Sequence, residues 1–137
     1  MDWLQRLIQV PFVLVMSARN STATLEIDGS VAELLSVGES TFIGVVLRGI
    51  ATDRDENWLI RATLMLAARE DALDDALQWN KGRWLIWRRY GLETFEAQDG
   101  ALEQRLTAHL ELARGLNSIA KPRRRLLNSN VGTLGKR

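Results

Sequence analysis

Residues 78–91 read QWNKGRWLIWRRYG and hold three of the chain's five tryptophans, its only tyrosine and three arginines. Asn80-Lys81-Gly82 forms a turn between two alternating runs, ALQW at 76–79 and RWLIWRRY at 83–90, which is the pattern of an antiparallel hairpin. Successive side chains of a strand point to opposite faces, so Arg83, Leu85, Trp87 and Arg89 share one face and Trp84, Ile86, Arg88 and Tyr90 the other. Each set carries a tryptophan and an aliphatic residue. A sheet with one wet face should show one polar set, so the pattern predicts that both faces are covered by something. Two readings follow: a central strand buried on both sides within one chain, or a strand with one face turned to another chain.

Upstream, residues 54–70 (RDENWLIRATLMLAARE) change the period from two to about 3.6. Thr52 and Asp55 mark the helix start, and Asp53, Asp55 and Glu56 suit the positive end of its dipole. Leu59, Ala62 and Leu66 define one apolar face, yet Trp58, Ile60, Leu64 and Ala67 fill much of the remainder. A helix on one side of a sheet needs a single apolar stripe, so this one is expected to be buried twice.

Further back, ATLEIDGSVAELL at 23–35 places Asp28-Gly29 between two alternating runs, a strong hairpin signal. TFIGVVLRGI at 41–50 supplies a third strand, rich in β-branched residues. Trp3, Leu4, Leu7 and Ile8 form one side of a first helix stopped by Pro11, and SARNST at 17–22 reads as a polar break. At the other end Leu102, Leu106, Leu110 and Ala113 recur along a closing helix that should end near Gly115. The expected fold is α+β in a single domain: helix, three antiparallel strands, helix, two strands, helix.

The chain of 137 residues, 46% hydrophobic and 26% charged, suits one domain with one core. Its net charge of +1 conceals two unlike segments. Residues 119–137 hold six basic and no acidic residues, whereas residues 1–118 hold 12 basic and 17 acidic. The division expected is a folded acidic body over 1–117 and a flexible basic tail over 118–137 that includes Lys121, Arg123, Arg124 and Arg125. The longest apolar run, Pro11 to Met16, is too short to span a membrane. The segment LIQVPFVLVMSARN (7–20) resembles a signal-peptide core ending at Ala18. However, MDWLQR lacks net positive charge, Gln9 and Pro11 interrupt the run, and Met16 is too large for the usual small residue before a cleavage site. The expectation is a retained segment, with a secreted, trimmed domain as an alternative.

Chemistry-bearing motifs are sparse. The chain has no cysteine, and its lone His109 reads as a helix residue at the edge of the core. VGES and QDG lack the glycines and lysine of a phosphate-binding loop, and Asp74-Asp75 reads as solvated charge. The expectation is no catalytic, cofactor-binding or metal-binding residue. Apolar surface remains. Burying one tryptophan removes roughly 200 Å² from water, worth up to about 5 kcal/mol, and leaving such a patch bare invites aggregation. Nucleic acid is the rival ligand, with Arg88 and Arg89 on phosphates beside Trp87 and Tyr90 and with KPRRR at 121–125 as a further contact. The acidic body opposes it.

TATLEIDGSVAELL (22–35), ENWLIRATLMLAARE leading into DALQWNKGRWLIWRRYG (56–91) and LEQRLTAHLELARGL (102–116) resemble, in order, size and acidity, the class I chaperones of bacterial type III secretion systems. Within these, the chain looks most like the YscB-like and HrpG-like branch. The resemblance covers residues 1–117 and rests on pattern. It implies a small cytoplasmic bacterial protein, not an enzyme, that forms a homodimer or heterodimer without a cofactor and binds a secretion substrate, an apparatus component or a regulatory protein. It further implies a dimer interface on the second helix at Trp58, Leu64 and Met65, and partner-binding grooves at Trp3, Leu7, Leu85 and Trp87. The basic tail and the apolar PFVLVMS (11–17) depart from the family's usual pattern.

Overall fold

The computed structural model describes residues 3–50, 55–69 and 75–120. Ten elements follow one another: α1 (Trp3–Ile8), β1 (Val13–Arg19), β2 (Thr22–Ile27), β3 (Ser30–Val37), β4 (Ser40–Leu47), α2 (Glu56–Ala67), β5 (Ala76–Asn80), β6 (Arg83–Tyr90), α3 (Leu92–Glu96) and α4 (Ala101–Ser118). The strands form one antiparallel sheet in the order β1-β2-β3-β4-β6-β5. The α+β class is as expected, but four strands precede α2, not three.

The additional strand is β1, which falls on the residues read as an apolar connection and a polar break. It pairs with β2 through Val13–Ile27 and Arg19–Thr22, and its register slips between Val15 and Ser17. That bulge inserts one residue and breaks the alternation by which a strand is recognised. The turns follow their chemistry more openly. Asp28 (φ 48°) with Gly29 (φ 85°), and Lys81 (φ 54°) with Gly82 (φ 81°), are both left-handed pairs, the geometry that two-residue hairpins require.

Asp55 caps α2 by accepting the Trp58 N–H on Oδ1 at 3.0 Å. Thr52 and Asp53 of the anticipated start lie outside the described residues. α4 runs past Gly115 to Ser118, so Gly115 does not end the helix. A Cβ there would stand 2.8 Å from Met65 Cε; the glycine lets α2 approach α4 closely.

All four helices bury residues in one cluster: Leu7 of α1, Trp58 and Ala62 of α2, Phe95 of α3, and Leu102, Leu106 and Leu110 of α4. These meet one face of the sheet, represented by Leu25, Ile27, Leu34, Ile43, Val45 and Ile86. Trp58 stacks obliquely on Trp84 at 5.4 Å and donates its indole N–H to Leu116 O at 2.8 Å, joining α2, β6 and α4. Arg6 ties α1 to α3 by donating to Phe95 O at 2.7 Å and Ala97 O at 3.3 Å. Among the described residues no helix is long and apolar enough to cross a membrane.

Candidate functional site

The second face of the sheet is built from the alternate residues. The register aligns Leu35–Phe42, then Glu33–Gly44–Trp87, then Val46–Leu85–Gln78 across β3, β4, β6 and β5. On this face the described residues of β2 to β6 are exposed or half-buried, apart from Gly44 and Leu85. An apolar ridge therefore crosses the centre of this face, whose rim carries both polar residues and the exposed Leu14 and Val37.

Trp87 is its main feature. Its indole lies over Gly44, where an added Cβ would come within 2.7 Å of Cδ2 and Cε2. Its Nε1–H donates to Gln78 Oε1 at 2.8 Å, which fixes the ring along the sheet. Leu35, Phe42, Ala76, Leu77, Gln78 and Trp87 enclose an open hollow of about 500 Å³. Beside it Arg83 donates to Glu33 at 2.8 Å. This pair joins β6 to β3 across the intervening β4, and on the same face Leu85, paired with Val46, is 1% exposed.

A second apolar surface lies on α2. Ile60 is 58% exposed and Leu64 is 63% exposed, one turn apart on the side away from the core. Met65 is half-buried beside Gly115.

The residues expected at interfaces thus divide. Trp87 and Leu64 present apolar surface, and Trp3 is half-buried against the core. Trp58 and Leu7 are both fully buried. They are core residues, not surface ones, because each occupies the inward position of its helix. Leu85 faces the outer side of the sheet but is roofed by its neighbours. Lys121, Arg123, Arg124 and Arg125 lie outside the described residues. Sequence reasoning missed Leu35, Phe42 and Gly44, although Phe42 and Gly44 are even-numbered residues of TFIGVVLRGI and Leu35 an odd-numbered residue of SVAELLSV, in the same kind of alternation that singled out Trp87.

Three polar residues of β6 and α4, Arg88, Tyr90 and His109, are engaged inside the core. Arg88 and Asp75 form a two-pronged ion pair, Nε to Oδ1 and Nη2 to Oδ2 at 2.8 Å each, with side-chain exposures of 3% and 1%. A guanidinium held this way cannot reach a nucleic-acid phosphate. His109 is fully buried; its Nε2–H donates to Ile86 O at 2.9 Å, and Nδ1 accepts the Tyr90 hydroxyl at 2.8 Å. Both ring nitrogens are used by the neutral form. Burial pushes the imidazole down to about 4, against the Ile86 bond and with the Arg88 guanidinium assisting. Burial likewise raises the Tyr90 phenol.

Fold and site together define an α+β domain with helices on one sheet face and an apolar ridge on the other. No protein-family model matches the sequence, and a search of curated proteins finds no match either.

Proposed function

We propose that this chain is a non-enzymatic binding protein, a type III secretion chaperone or chaperone-like regulator that covers an apolar segment of one partner. The partner class is a secretion substrate, an apparatus component or a regulatory protein, met in the bacterial cytoplasm. The mechanism is mass action: bound to this chain, the partner stays soluble or is withheld from competitors. A homodimer or heterodimer formed through the outer face of α2 belongs to the same reading.

The observation that supports this most is the Trp87 hollow. Its indole is held in place by Gln78 and Gly44 before any ligand arrives, so little ordering cost remains for binding. Apolar strand surfaces of this kind accept an extended segment or the apolar side of a helix. The observed order, helix, four strands, helix, two strands and two helices, differs from the expected one by β1 and α3, so the reading draws on the α+β class and the apolar outer face rather than on the order of elements. Arg88, held by Asp75, and His109, bonded within the core, are engaged in packing, and neither supplies a phosphate contact or a catalytic group to the competing readings.

The test is capture from the native host with the full chain and with Trp87→Glu. The wild type should retain one defined protein and the variant should lose it, while circular dichroism and the urea midpoint stay close to wild type. Equal retention by a folded Trp87→Glu chain would overturn the reading. Leu85 is unsuited to this test, since a charge at a residue 1% exposed endangers the fold.

A further inference from the structure

We propose that the hollow between α1, the β3–β4 turn and α3 is a site for one basic side chain, arginine or lysine, carried on a polypeptide. The hollow measures about 310 Å³, the lower end of the roughly 300–1,000 Å³ of ligand pockets. Trp3, Leu92 and Phe95 supply apolar and aromatic lining, Thr41 a hydroxyl, and Glu39 and Glu96 two carboxylates. Among the described residues no basic one lines it.

The charge balance is what selects the ligand. Among the described residues, neither Glu39 nor Glu96 is paired with a base. The basic residue on the adjoining helix, Arg6, is committed elsewhere: Nε and Nη2 donate to Phe95 O and Ala97 O, and Nη1 to Gln9 Oε1 at 3.2 Å. It fastens α3 to α1, which frames the hollow, and does not neutralise the two glutamates. An anion would be repelled there, and a purely apolar group would strip water from carboxylates without replacing it. A long aliphatic stem with a cationic head satisfies both parts of the lining, the stem against Leu92 and the head between the glutamates and the Trp3 indole. Arginine suits it better than lysine because a planar guanidinium both stacks and forks.

The Trp87 hollow, in contrast, has apolar walls and one amide, and selects greasy residues. The basic-side-chain site adds charge selectivity for a polypeptide partner. To that extent it rests on the binding role proposed above, yet it can be tested without any partner.

The experiment is a titration of the ¹⁵N-labelled full chain with N-acetyl-arginine amide, following the Trp3 indole resonance, which is assigned by its absence in Trp3→Phe. A saturable shift is expected in the millimolar range, weakened at least fivefold in Glu39→Gln/Glu96→Gln. The uncharged citrulline and norleucine amides should give no saturable shift. A response that does not saturate, that citrulline reproduces, or that the double variant retains in full would overturn the site. Failure here leaves the capture experiment at Trp87 unaffected, and the reverse also holds.

Discussion

The indole of Trp87 rests on Gly44, its cross-strand neighbour, at a distance no other residue at position 44 allows: a Cβ would meet the ring at 2.7 Å. The glycine is thus a platform. Gly44→Ala should lift the indole off the sheet, break its bond to Gln78 and cost about 1–3 kcal/mol through overpacking. A lowered urea midpoint with altered near-ultraviolet circular dichroism checks this, and partner capture should weaken although no contact residue is replaced. Unchanged spectra and midpoint would show that the ring is not held there.

Arg88 and Asp75 exchange two hydrogen bonds out of reach of water. Replacing Arg88 by Met strands a carboxylate in the core, for which about 3–5 kcal/mol of destabilisation is expected. The double change Arg88→Met/Asp75→Leu should recover much of that loss, since the pair's attraction mainly offsets its own desolvation. Urea unfolding of the two singles and the double forms the cycle. Additive losses would contradict a coupled pair.

Much of the fold is legible in the sequence where local chemistry and pattern agree. Asp28-Gly29 and Lys81-Gly82 announce their turns, Asp55 announces α2, and Leu102, Leu106 and Leu110 draw the inner stripe of α4. β1 is illegible for a physical reason: Leu14 and Met16 are apolar and more than half exposed, Val13 and Val15 are apolar and half-buried, and the bulge between Val15 and Ser17 shifts the period. The second face of β6 is legible through Trp87, whereas the two sides of α2 are not. Trp58 and Leu64 are both large and apolar, and their opposite fates depend on where α4 lies. The two glutamates around Trp3 come from elements 57 residues apart, Glu39 and Glu96, so only the fold brings them to one hollow.

The outward pair Ile60 and Leu64 bears on self-association. On the reading proposed above, wild-type chain at tens of micromolar sediments as a dimer, and Ile60→Glu/Leu64→Glu sediments as a monomer. The substitutions fall at positions 58% and 63% exposed, so the helical signal and thermal midpoint should hardly change. Analytical ultracentrifugation reads the outcome directly. A wild-type monomer across that range, or a double variant that still dimerises, removes α2 from the interface.

His109 predicts how acid acts on the fold. Its unfolded imidazole titrates near 6.5 and its buried one near 4, so between those values the unfolded chain takes up a proton that the folded chain refuses. Stability from this residue is therefore complete above about pH 6.5 and declines as the pH falls toward 4, by about 3 kcal/mol in all. Protonation would also oblige Nδ1 to donate where it now accepts the Tyr90 hydroxyl. His109→Gln removes the titrating group while retaining an amide able to donate to Ile86 O. Its urea midpoint should start lower at pH 7 and then change less than the wild type's between pH 6.5 and 4.5. Parallel pH profiles for the two chains would place the acid sensitivity elsewhere.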